Sequence, residues 1–124
     1  MAVSDKDKID SIGTDSGFGN IILTIDDDLS WRNEYDHLNI LQDKINSYLE
    51  FIDNGELYKN YPDAEGKRIE ILINFKNGIT PKCQAYLNRV RNKLIILGIN
   101  VVYNIEDYRS GIVYSATTNM RNIL

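Results

Sequence analysis

One stretch constrains the fold more than any other: residues 69–103 read as strand, capped helix, helix stop and strand. Ile69, Ile71, Ile73 and Phe75 alternate with Glu70, Leu72, Asn74 and Lys76, a mostly period-two pattern suited to a β-strand. Thr80 offers a hydroxyl to free helix amides, and Pro81 fits a first turn where no N–H is needed. Cys83, Tyr86 or Leu87, Val90, Leu94 and Leu97 then form an apolar helical face, and the run Leu94 to Leu97 reads as part of that helix. Gly98 stops it, and Ile99 to Tyr103 resumes as a short β-branched strand. A β-α-β unit of this kind closes as a right-handed parallel crossover. The fold class is therefore α/β, or α+β, with a mixed sheet.

The remaining residues extend that unit in both directions. Ile9 and Ile12 suggest a first strand ending near Gly13, and residues 15–20 are rich in turn formers. Ile21 to Ile25 follow as a strongly apolar strand, so the pair reads as an antiparallel hairpin with Phe18 at its tip. Ser30 is the expected N-cap of a first helix. Trp31, Tyr35, Leu38, Leu41 or Gln42, Ile45, Leu49 and Ile52 recur at helical spacing, and Gly55 ends the pattern. Residues 56–67 read as a loop. Ile112 to Ala116 read as a last antiparallel strand or as part of a loose tail. The expected order is β-β-α-β-α-β, with an optional final β: two layers, four or five strands, and both helices on one face. Residues 1–104 are expected to form the single domain, and 105–124 a C-terminal strand or flexible tail.

A chain of 124 residues is the length of one domain and buries enough surface to fold without a metal or disulfide. The single cysteine, Cys83, excludes an internal disulfide and fits a reducing compartment. The first residues lack the apolar core of a signal peptide, and no run approaches a membrane span. The expected location is cytoplasmic.

Net charge is −4, unevenly distributed. Residues 1–30 hold seven Asp and two Lys, a balance of −5. Residues 71–105 hold no acid, while Lys76, Lys82, Arg89, Arg91 and Lys93 bring +5. Lys82, Arg89 and Lys93 share one helical face, an anion-facing stripe or simply a solvated one whose later members favour the negative helix end. The overall acidity argues against a dedicated nucleic-acid binder.

Candidate chemistry is sparse. Asp26-Asp27-Asp28 ends a strand just ahead of a helix, where carboxylates hold a cation or stabilise the helix N-terminus. His37, the only histidine, lies beside the apolar stripe; no spacing supplies the ligands of a zinc site. Gly17-Phe18-Gly19 precedes a strand, whereas phosphate-binding glycine loops precede a helix. Cys83 reads as a packed thiol. The eight tyrosines are the remaining feature: Tyr58 and Tyr61, with Phe18 and Trp31, make a candidate recognition patch, because large aromatics with a polar edge favour interfaces.

The sets Asp7-Lys8-Ile9-Asp10-Ser11-Ile12, Leu23-Thr24-Ile25 with Leu29 and Trp31, His37-Leu38 through Phe51-Ile52, and Tyr61-Pro62 resemble a family of small bacterial proteins of unknown function. The resemblance covers residues 4–103 and leaves the last twenty outside. It implies a bacterial, soluble, single-domain protein and carries no catalytic residue over. On the residues themselves, the leading expectation is a non-enzymatic protein-interaction module, immunity- or adaptor-like, homodimeric, with a basic partner and no cofactor or metal. The alternative is a small-ligand protein or enzyme in which Asp26 to Asp28, His37 and the Tyr58–Tyr61 loop converge. A third is anion binding through Lys82, Arg89 and Lys93.

Overall fold

The computed structural model describes residues 9–14, 19–107 and 112–115 of the chain. Five strands form one mixed sheet: β1 (Ser11–Thr14), β2 (Ile21–Asp27), β3 (Ile69–Phe75), β4 (Ile99–Asp107) and β5 (Ile112–Ser115), in the spatial order β1-β2-β3-β4-β5. The outer pairs are antiparallel, and β2-β3-β4 are parallel and in register, Leu23 beside Ile71 and Ile71 beside Val101. Helix α1 (Glu34–Asp53) connects β2 to β3, followed by the short α2 (Glu56–Asn60); α3 (Pro81–Leu94) connects β3 to β4. Both crossovers step along the sheet in the same direction, which puts α1 and α3 on the same face. The α/β order expected from sequence is the order found.

Alternation decides which residues enter the core. Ile21, Leu23 and Ile25 of β2, Ile69, Ile71, Ile73 and Phe75 of β3, and Ile99, Val101 and Tyr103 of β4 meet Leu41, Ile45, Tyr48, Cys83, Leu87 and Leu94 from the helices. Thr80 caps α3 by accepting from the Cys83 amide at 3.1 Å, and Pro81 occupies its first turn. Gly98 takes a left-handed conformation, φ 79°, which lets the chain reverse into β4 without a Cβ clash.

Four local expectations change. The cap of α1 is Asn33, not Ser30: its side chain accepts from the Asp36 amide at 3.1 Å. The buried face of α1 is His37, Leu41, Lys44, Ile45 and Tyr48, while Tyr35 stands 75% exposed. At about 100° per residue, that face lies well away from Tyr35, because a buried His and Lys complete the arc. Residues 56–67 are not a plain loop: α2 and a 3-10 turn at Pro62–Ala64 fix them through fully buried Leu57 and Ala64. Lastly, α3 ends at Leu94, and Ile95–Leu97 form a separate 3-10 turn.

Candidate functional site

The carboxyl ends of the parallel strands hold the most concentrated polar chemistry. Asp27, the last residue of β2, is buried beneath the first turns of α1. His37 presents Nε2 to both carboxylate oxygens, at 2.6 and 2.8 Å, and Nδ1 to the Ser30 carbonyl at 3.1 Å. Both neighbours accept, so both contacts become hydrogen bonds when each ring nitrogen carries a proton. Asp27 also accepts the Leu29 amide at 3.1 Å. Trp31 stacks on the imidazole with ring centroids 3.6 Å apart and donates its indole N–H to the Gly78 carbonyl at 2.8 Å. His37 and Asp27 are 2% and 1% exposed, so the pair is sealed from bulk solvent and fastens α1 to the strand ends.

The three consecutive aspartates do not converge. Adjacent strand residues point to opposite faces, and Asp26 lies on the sheet face away from the helices. There Asn74 donates to it at 3.2 Å, and Asn104 donates to Asn74 at 3.1 Å, a short polar ladder across β2, β3 and β4. Asp28 is exposed, its backbone carbonyl taken by Asn77 at 2.9 Å. Among the described residues no three His, Cys, Asp or Glu side chains are grouped to hold a metal ion. The parallel strands are also wound in one direction throughout, so there is no reversal of strand order to open the usual crevice at their carboxyl ends.

A second buried pair ties the hairpin to α1. Lys44, fully buried, donates to Asp10 at 2.8 Å, and the other Asp10 oxygen accepts the Asp26 amide at 2.9 Å. The Tyr48 hydroxyl donates to the Thr24 carbonyl and accepts the Asp10 amide at 2.9 Å. Burial pushes the Tyr48 hydroxyl well above the ordinary tyrosine range, with the nearby carboxylates of Asp10 and Asp26 acting in the same direction. Neither Lys44 nor Asp10 stands out in the sequence. The one available signal is that Lys44 falls inside the helical arc defined by Leu41, Ile45 and Tyr48.

The expected aromatic patch is divided. Trp31 sits at the carboxyl end of β3, beside Gly78, whereas Tyr58 and Tyr61 lie between α1 and the amino end of β3. The seven-residue strand between them spans about 20 Å. Tyr58 is half-buried and Tyr61 is 45% exposed. Phe18 lies outside the described residues. Tyr58 and Tyr61 are therefore also remote from His37 and Asp27. Lys82, Arg89 and Lys93 are all exposed on α3, Lys82 reaching Glu34 of α1 at 3.9 Å. Cys83 is buried, its thiol pushed up to about 12 by burial first and the negative charges of Asp27 and Glu34 second.

The amino ends of the parallel strands carry a different surface. Ile95, Ile96 and Leu97 are 55%, 83% and 70% exposed. On one side of this ridge, a groove of about 520 Å³ is lined by Leu49, Ile52, Leu97 and Ile99, with Glu50 and Asp53 at its edge. On the other, a concavity of about 800 Å³ is lined by Gly66, Lys67, Arg68, Glu70, Ile95 and Asn100 among others. Sequence reading placed Leu97 in the core. The contrary signal was present: four consecutive apolar residues, Leu94 to Leu97, cannot all face one side of a helix. No described helix is long and apolar enough to cross a membrane.

No curated protein and no solved structure matches the chain. The model of one protein family matches residues 1–107, which takes in β1 and β2, the His37–Asp27 and Lys44–Asp10 pairs, and helices α1, α2 and α3. The chain belongs to that family, the family of unknown function DUF6572.

Proposed function

We propose that this protein is a non-enzymatic interaction module that acts by occupying a partner's surface, as an adaptor or immunity protein does. The observation that carries this reading is the ridge of Ile95, Ile96 and Leu97 beside the groove of Leu49, Ile52 and Ile99. Large apolar side chains grouped in the open and rimmed by polar residues mark an interaction surface. Most of their surface stays exposed in the isolated fold.

The charge layout supports a partner with a basic surface. Along α1 the acids are Glu34, Asp36, Asp43, Glu50 and Asp53, and its last turn has no basic residue to offset the negative helix end. A basic partner relieves that clustering and associates faster for it. The polar groups of the enzyme reading are absorbed elsewhere. Asp27 and His37 hold each other in the core, and Asp26 is engaged on the opposite face. The buried free thiol fits a reducing, cytoplasmic setting.

The test compares the proteins captured by the wild-type chain with those captured by Ile96→Asp and Leu97→Asp variants, both verified as folded by circular dichroism. A partner retained by the wild type and lost from both variants is the expected result. Identical capture by all three removes the ridge from the function.

A further inference from the structure

We infer that the surface occupied by α1, α3 and the Ile95–Leu97 ridge pairs with a second copy of this chain about a two-fold axis parallel to the helices. The inference rests on the interaction-module reading above and names its partner.

The argument begins with spacing. Asp36, Asp43 and Glu50 recur every seven residues along α1, two helical turns, so they stack in one row. All three are exposed. Lys82, Arg89 and Lys93 form the corresponding row on α3, also exposed. Neither row has opposite charges of its own: Lys44, the one lysine or arginine on α1, is buried and paired inward, and α3 has no acid at all. One layer thus presents an acidic helix beside a basic one.

The two helices run in the same direction, each returning from the carboxyl end of one strand to the amino end of the next. The Lys82–Glu34 contact fixes their first turns at the same level. Arg89 and Lys93 therefore bracket the level of Asp43.

Symmetry then selects the arrangement. A two-fold axis in the plane of the interface and parallel to the helices keeps every residue at its level and exchanges left for right. It lays the acidic row of one copy against the basic row of the other, twice. An in-plane axis perpendicular to the helices sets acid on acid. An isologous interface of the first kind is self-complementary, and the mismatch cost of the second discriminates between them. Exposed apolar side chains flank the two rows, Tyr35 in the first turn of α1 and Ile96 and Leu97 just beyond the end of α3.

Sedimentation equilibrium of the full chain across a concentration series, at low and high salt, tests this. The wild type is expected to form a particle of twice the 14.3 kDa chain mass, weakening as salt rises. Asp43→Lys/Glu50→Lys and Arg89→Glu/Lys93→Glu each set like charges together and should weaken self-association about tenfold or more. Mixing the two variants restores both complementary contacts, so the mixture should form a heterodimer that neither forms alone. All substituted residues are exposed, and circular dichroism confirms that each variant is folded. Variants that dimerise like the wild type, or a mixture that stays monomeric, overturn the arrangement. A wild type that is monomeric throughout overturns self-pairing. If capture of another protein still depends on Ile96 in that case, the interaction-module reading survives; if it does not, both fall.

Discussion

The indole of Trp31 lies on the imidazole of His37, ring centroids 3.6 Å apart and planes 21° from parallel. The stack closes the buried His37–Asp27 pair from above, while Phe75 lies 6.5 Å from the indole on the strand side. Asp27 of β2, Trp31 ahead of α1, His37 within α1 and Gly78 in the turn after β3 meet there. The stack covers a histidine and an aspartate that lie buried in a largely apolar core.

Breaking this pair from one side is expected to be costly. His37→Ala leaves the Asp27 carboxylate buried with only the Leu29 amide, and Asp27→Ala leaves the imidazole Nε2 without the carboxylate it faces, Nδ1 keeping the Ser30 carbonyl. Removing one partner of a buried pair costs about 3–5 kcal/mol. Urea denaturation of the two single variants and the double variant should show strong non-additivity, the double costing less than the sum. Additive losses would mean that the two side chains are not coupled.

Asp10 and Asp28 form an internal control, since both are acids near a strand end. Asp10 accepts from buried Lys44 and from the Asp26 amide, whereas Asp28 is exposed. Asp10→Ala should destabilise by about 3 kcal/mol or more, and Asp28→Ala should stay within about 0.5 kcal/mol. Chemical denaturation measures both. Equal effects would show that the Lys44 pair does not hold the hairpin in place.

Cys83 should resist thiol reagents in the folded protein. The thiolate is the reactive form, and burial holds the Cys83 thiol at about 12 while also blocking access. Ellman's reagent at neutral pH should label the native protein slowly and the urea-unfolded protein at once. Rapid native labelling would place the thiol at the surface.

Alkaline pH should unfold the protein in a defined window. Burial raises the hydroxyls of Tyr48 and Tyr103, and that of Tyr86 to about 12, from an ordinary value of 10.0. Each raised group contributes stability that is complete below pH 10. Above it the unfolded chain holds fewer protons than the folded one, so stability falls with rising pH. Absorbance of tyrosinate near 295 nm should therefore rise in two stages, the buried hydroxyls ionising only as the fold is lost. A single smooth titration of all eight tyrosines would contradict the burial of Tyr48, Tyr86 and Tyr103.

The pattern of the chain was most legible where one local rule acts alone. Period-two alternation from Ile69 to Phe75, the Thr80-Pro81 cap and the Gly98 stop each depend on neighbours within a few residues, and each appears as read. The face of α1 was misread because hydropathy classes His37 and Lys44 as surface residues, and only their partners Asp27 and Asp10, distant in sequence, permit their burial. The ridge departs from the pattern for the opposite reason: Leu97 reads as part of the apolar face of α3, but Leu87 and Leu94 already fill that core and Leu97 stays outside.

The sequence by itself determined the β-α-β unit of residues 69–103, the order of the long helices and strands, and the uneven charge along the chain, because propensity, periodicity and composition are local properties. Only the tertiary structure decided which polar groups are neutralised inside and which apolar groups remain outside. Those outcomes depend on pairings across the sheet: Asp27 with His37, Asp10 with Lys44, and Asp26 turned to the far face by the alternation of a strand.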